Sequence, residues 1–278
     1  MRNNLLKQEI KNNLRNINIR IKILFILLSR YLFKINMRDP DVSFPEYDDY
    51  WKLFWEERDL FRTDLRFTKF DVHIEKLSPF EFKQQCIISR LSSKIESHNF
   101  QSVLEIGSGA GLNLMFLAPK FPDVQFYGLE PTYSGVFMAN EFINSPPKEF
   151  KEAHEIGKLE NVHIIKGSIL DKEVVEILKK EYSFDFVFTS AVLEQLLNFV
   201  DIVFPSIFSI PADYFLFNEE WLEGNYLIDN YKTLVDSDYF RISWNYLNSY
   251  KNIQTLERVI EPMQPAWLKY TSVFCKKI

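Results

Sequence analysis

Three glycines, Gly107, Gly109 and Gly111, stand within five residues, directly after the apolar run Ser102–Ile106. The rest of the chain is short of glycine: it holds eight in 278 residues, less than half the roughly 7% of average usage. Glycine is needed where the backbone takes a left-handed turn, or passes another group with no side chain between them. Here a strand runs into such a turn and leaves it as a helix, predicted over Leu112–Leu117. That arrangement presents bare N–H groups at a helix start, where polar or anionic ligand atoms are held. The dinucleotide spacing G-x-G-x-x-G requires glycine at position 112, and Leu112 occupies it, which disfavours nicotinamide chemistry.

Beyond the turn, strand-like and helix-like blocks alternate. Strands are predicted at Val124–Leu129, Val162–Ile165, Phe184–Thr189, Tyr214–Asn218, Ile253–Ile260 and Tyr270–Cys275, and helices at Ser134–Ile143 and Lys172–Lys180. Repeated strand–helix units predict an α/β fold, a doubly wound and mostly parallel sheet with helices on both faces. Ligands of such sheets lie outside the carboxyl ends of the strands, where the strand order reverses. Glu130 closes the second strand, 19 residues past Gly111, where a carboxylate accepts hydrogen bonds from the ribose hydroxyls of an adenosine.

Composition narrows the partners. With 46% hydrophobic and 26% charged residues, wholesale disorder is excluded. Cys86 and Cys275 are too few for a disulfide framework, and no cysteine, histidine or paired-aspartate spacing suggests a metal, so a reducing, cytoplasmic setting is expected. Residues 1–38 carry nine Lys and Arg against Glu9 alone, a charge of +8 that leaves −13 on the remainder of a chain whose net charge is −5. An acidic body offers no footprint for nucleic acid.

In the basic arm, Leu6, Ile10, Leu14, Ile17, Ile21, Leu24, Leu28, Leu32 and Ile35 form one helical stripe. Lys22 and Arg30 bracket its densest stretch, so no span of about 20 apolar residues is available. Residues 1–38 therefore read as an amphipathic helix that packs on protein or makes peripheral contact with an anionic inner membrane surface. Residues 39–98 form an aromatic cap whose lead-in helix is predicted over 79–97, and residues 99–278 form the main domain.

At the E-x-G-x-G-x-G turn, Glu105 to Gly111, and at Glu130, the chain resembles the class I S-adenosylmethionine-dependent methyltransferases. The segment from Phe184 to Leu196, F-D-F-V-F-T-S-A-V-L-E-Q-L, adds to that likeness, which covers roughly residues 100–220. The resemblance implies a Rossmann-like sheet of seven strands, the last antiparallel, and S-adenosyl-L-methionine as cofactor. It further implies that Glu105, Gly107, Ser108, Gly109, Gly111, Glu130, Pro131, Ser168 and Ile169 hold that cofactor, with Ser190 bordering its methionine end. Two departures stand out. Gly167 is followed by Ser168 and Ile169 with Asp171 displaced, where the family often has aspartate to read adenine, and Gln195 replaces a frequent histidine.

The segment Phe54–Arg58 resembles the aromatic lead-in of many small-molecule and glycan methyltransferases, and Trp55 or Tyr50 is placed to close over a sulfonium cation. For a hydroxyl acceptor a general base is expected, and the carboxylates at the strand ends are Glu219, Glu194 and Glu220, with Glu219 favoured. The closest likeness is to sugar or polysaccharide O-methyltransferases, implying a glycan or small hydroxyl compound as acceptor. A catalytically silent methyltransferase-like subunit and a small-molecule N-methyltransferase are the alternatives.

Overall fold

The computed structural model describes residues 79–146, 148–155, 157–196, 199–219, 221, 244–260 and 271–278. The basic arm 1–38, the aromatic segment with Tyr50 and Trp55, and Glu220 lie outside the described residues.

Seven strands form one sheet: β1 (Ser102–Ile106), β2 (Gln125–Glu130), β3 (Val162–Lys166), β4 (Phe186–Ser190), β5 (Tyr214–Glu219), β6 (Ile253–Ile260) and β7 (Thr271–Lys277). Their order is β3-β2-β1-β4-β5-β7-β6. β1 to β5 pair in parallel, while β7 runs antiparallel between β5 and β6. The chain builds outward from β1 to β3, then returns to place β4 on the other side of β1. Strand order therefore reverses between β1 and β4, and the glycine turn leaves β1 at that point.

The central strands are apolar nearly throughout because both faces of the sheet are covered. Val103, Phe126, Phe186, Phe188, Leu216 and Phe274 pack with Leu91 and Ile95 of the helix Pro79–His98 and with Leu114 and Leu117 of the helix Leu112–Leu117. Leu104, Ile106, Val187, Phe215, Phe217 and Val273 point the other way. They meet Leu178 of the helix Lys172–Glu181, and Phe204 and Ile207 of the helix Val200–Ser209.

Two side-chain bonds set the register at the foot of the sheet. Asp185 Oδ2 accepts the N–H groups of Gln101 (2.6 Å) and Ser102 (3.0 Å). The Asp185 backbone ties the same corner together, donating its N–H to the Ser102 carbonyl at 2.9 Å and accepting from the Tyr214 N–H at 3.3 Å, so the expected strand Phe184–Thr189 is trimmed to start at Phe186. Phe184 instead donates its N–H to the carbonyl of Pro211.

The predicted helices match Pro79–His98, Leu112–Leu117, Tyr133–Asn144 and Lys172–Glu181 to within a residue at each end. Two further helices, Lys148–His154 and Val200–Ser209, were not expected. The second carries Pro205 inside it, and proline removes an N–H and normally ends a helix. It persists because Val203, Phe204, Ile207 and Phe208 are all buried against the sheet. Among the described residues, no helix is long and apolar enough to cross a membrane.

Phe186 is fully buried, with its ring 5.0 Å from that of Phe100 and 6.2 Å from that of Phe274. Phe186→Ala is expected to lower the stability of the domain by about 3–5 kcal/mol, as truncation of a core aromatic does. Denaturant unfolding followed by circular dichroism checks this; a loss below about 1 kcal/mol contradicts the packing described.

Candidate functional site

All three glycines of the turn take left-handed backbone angles, with φ of +72° at Gly107, +54° at Gly109 and +73° at Gly111. The turn is stitched to its neighbour strand, since the N–H groups of Gly107 (2.7 Å) and Ser108 (3.2 Å) both donate to the carbonyl of Leu129. Gly111 then starts the helix Leu112–Leu117 by donating to the Ser108 carbonyl (2.8 Å) and accepting from Met115 N–H (2.9 Å). A methyl group on Gly107 would sit 2.5 Å from Val192 Cγ2, so the close approach of the loop after β4 also demands a bare backbone there.

Glu130 is 4% exposed, and its carboxylate braces the turn. Oε2 accepts the Gly109 N–H at 2.8 Å, and Oε1 accepts the Thr132 N–H at 2.9 Å as well as the Thr132 hydroxyl. Thr132 in turn caps the helix Tyr133–Asn144, accepting the Gly135 N–H at 3.1 Å. Pro131, between the two, is half-buried.

Glu105, on β1, is 1% exposed. Its Oε1 accepts from Asn113 Nδ2 at 2.6 Å, while Oε2 has no partner among the described residues. Burial, reinforced by the nearby Glu130 charge and only partly offset by the Asn113 hydrogen bond, pushes its carboxyl up to about 8. Four other buried side-chain oxygens lack partners among the described residues, and three of them, Ser108 Oγ, Thr189 Oγ1 and Thr271 Oγ1, lie at this same end of the sheet. Unsatisfied groups are rare in folded chains; Glu105 Oε2 and Ser108 Oγ stand at the glycine turn itself, whereas Thr189 and Thr271 face the other side of the sheet.

Past β3 the backbone turns through Gly167, whose N–H donates to the Glu130 carbonyl at 3.0 Å. Ser168 is half-buried with its Oγ accepting the Leu170 N–H at 3.2 Å, and Ile169 is buried. Asp171 sits outside this turn because it caps the helix Lys172–Glu181, accepting the Glu173 N–H at 2.9 Å.

The loop after β4 is bent by Ala191, a non-glycine residue at φ +59°. Glu219, expected as the general base, is 3% exposed and holds this loop: its Oε2 accepts from Val192 N–H (3.0 Å) and Leu193 N–H (3.1 Å). A carboxylate that binds two backbone donors below the surface is occupied in positioning. Glu194 lies on the short 3-10 turn Leu193–Gln195. Ser190, half-buried at the end of β4, accepts from Asn218 Nδ2 at 3.2 Å, and Asn218 Oδ1 accepts from the Ser272 hydroxyl at 3.1 Å.

The structure thus brings Glu105 at the end of β1, the turn residues Gly107, Ser108, Gly109 and Gly111, and Glu130 at the end of β2 into one corner of the sheet, with Ser190 at the end of the neighbouring β4. Thr132, Asn113, Asn218 and Ser272 were not foreseen. Thr132 had a legible signal, a capping residue ahead of a predicted helix; the other three had none.

Several solved structures share this architecture. Magnesium protoporphyrin IX methyltransferase from Synechocystis PCC 6803, with bound SAH, aligns over 84% of this chain and 100% of its own, with a TM-score of 0.53 and 11% identity. The methyltransferase domain of bacterial CtHen1 aligns over 70% of this chain and 98% of its own, with a TM-score of 0.51 and 15% identity. The fold is that of the class I methyltransferases. No known protein family and no curated protein sequence matches the chain. In this methyltransferase fold the glycine turn and Glu130 stand at the sheet's point of reversal.

Glu105 offers a pH signature of its own. In the native chain its carboxyl stays protonated up to about 8, whereas in the unfolded chain it ionises near its ordinary 4.5. Between those values the native state binds the extra proton, so this group's contribution to stability falls as pH rises through them. Glu105→Gln cannot ionise. Its melting temperature should match wild type near pH 4, exceed it increasingly up to about pH 8, and keep a constant lead above. A gap independent of pH would contradict this account.

Proposed function

We infer that the chain binds S-adenosylmethionine and transfers its methyl group to a hydroxyl oxygen of a glycan or other small acceptor. The observation that carries this is the pairing of the left-handed glycine turn with the buried Glu130 brace, at the reversal point of this fold. Two solved forms of the Synechocystis enzyme, with bound SAH and with bound SAM, lend support to the cofactor.

The residues present fit such a group. Among the described residues Glu105 Oε2 has no cationic or donor partner, and the bare turn lets a ligand lie against backbone N–H groups. When bound, the cofactor supplies an electrophilic methyl group on a cationic sulfur. Glu130 would receive the ribose hydroxyls, the rotatable Thr132 hydroxyl giving up its place on Oε1. Ser168 and Ile169 would line the adenine. Glu105 would face the positive amino-acid end and ionise there. Positioning and exclusion of water supply much of the rate enhancement when a displacement neutralises charge. With Glu219 holding the loop, we assign removal of the acceptor's proton to Glu194. The apolar stripe and the +8 charge of residues 1–38, which support contact with an anionic membrane surface, are the basis for favouring a lipid-linked glycan acceptor.

The direct test is a thermal-shift titration with S-adenosylhomocysteine, with NAD as control. Native-state binding at a hundredfold excess over Kd should raise the melting temperature on the order of 5 °C, with no response to NAD. Glu130→Ala should abolish the shift. A folded wild type that responds to neither ligand overturns the cofactor assignment and favours a silent interaction subunit. Product analysis of acceptor hydroxyls against amines then separates oxygen from nitrogen transfer.

A further inference from the structure

Three short stretches from three different strands meet where the loop after β4 passes the glycine turn. Ala191 leaves β4 in the left-handed region at φ +59°, a conformation that is less favourable for a residue with a side chain than for glycine. Its N–H donates to the Asn218 carbonyl on β5 at 3.1 Å, which pins the bend as β4 ends. Val192 then stands at the N-cap position of the 3-10 turn Leu193–Gln195, where it has no side-chain oxygen to offer. The cap comes from β5 instead. Glu219 receives the Val192 N–H on both oxygens, at 3.2 and 3.0 Å, and the Leu193 N–H at 3.1 Å. Glu219 and Leu193 are both buried, so water is no ready substitute for these bonds.

The side chain of Val192 lies against Gly107. A Cβ at Gly107 would stand 2.5 Å from one Val192 methyl and 3.0 Å from the other. Gly107 is the first left-handed residue of the turn and has no side chain of its own to restrict it. Val192 therefore serves as the wall beside it. Val192 is held in that place by the carboxylate that binds its own N–H and the next one.

We propose that Glu219 is a positioning residue for the glycine turn: it holds the loop after β4 in its left-handed bend and so keeps Val192 seated on Gly107. This rests on the cofactor reading above and adds to it a link between the turn after β1 and the loop that carries Glu194. Without the carboxylate the bend relaxes, Val192 lifts from Gly107, and part of a ligand's binding free energy goes into reordering the turn. By linkage, a ligand that orders the turn also tightens the loop after β4.

Hydrogen exchange of the ligand-free full chain reads the clamp directly. The Val192 and Leu193 amides should exchange about tenfold faster in Glu219→Gln than in wild type, while the amide of Leu104, inside β1, stays unchanged. Calorimetric titration with S-adenosylhomocysteine reads the link. Glu219→Gln should weaken binding about tenfold, the scale of a lost hydrogen bond to a charged group. Val192→Ala, which trims a half-buried side chain and leaves the clamp in place, should weaken it severalfold by itself. The double variant should bind no more weakly than Glu219→Gln, because both changes act through one contact. Adding Ala191→Gly to Glu219→Gln should recover about threefold, since glycine takes the left-handed bend unaided. Equal amide exchange in wild type and Glu219→Gln overturns the clamp, and an Ala191→Gly change without recovery overturns the strain it holds. Losses that multiply in the double variant overturn the path through Val192. Full affinity in Val192→Ala does the same, whatever becomes of the Glu219 variant. A wild type that binds no S-adenosylhomocysteine while its amides respond as stated overturns the cofactor reading and leaves the clamp standing.

Discussion

The bond from Gly109 N–H to Glu130 Oε2 is the contact on which the top of this sheet depends. A turn with three left-handed residues has little to stabilise it internally, because glycine loses more conformational freedom on ordering than any other residue. Its path is imposed from β2, by the Leu129 carbonyl below and the Glu130 carboxylate above. Glu130 is in turn steadied by Thr132, which also caps the helix Tyr133–Asn144. Turn, strand end and helix start are thereby one unit, and a change in any of them is felt in the other two.

The need for close approach extends past the turn itself. A methyl group on Gly128 would fall 2.5 Å from Ser108 Oγ, and one on Gly135 would fall 2.6 Å from Thr132 Oγ1. Five of the chain's eight glycines thus serve this corner. The scarcity of glycine elsewhere and its concentration here express a single steric demand.

Much of the fold was legible because its signals are local. The strand of β1, the glycine turn and the helix Leu112–Leu117 follow one another within sixteen residues, and short apolar runs marked every other strand. Val200–Ser209 was hidden because a proline inside it argues against helix, and only burial against the sheet outweighs that. Lys148–His154, mostly polar and seven residues long, lacked an apolar period to reveal it. In the site, Glu130 and the glycines were readable from spacing. The engagement of Glu219 was not, since its partners Val192 and Leu193 lie 27 and 26 residues earlier in the chain. Asn218 and Ser272, 54 residues apart, become neighbours only once β7 has inserted.

That insertion has a consequence for the order in which the molecule can be completed during translation. β5 pairs with β4 on one side, but its other edge is closed only by residues 271–277, which also carry β6 into the sheet. Until those residues leave the ribosome, Phe215, Leu216 and Phe217 border an unpaired edge, and open apolar edges recruit other chains. A chain stopped just before residue 271 would therefore leave the β5 edge open and be prone to stack edge to edge.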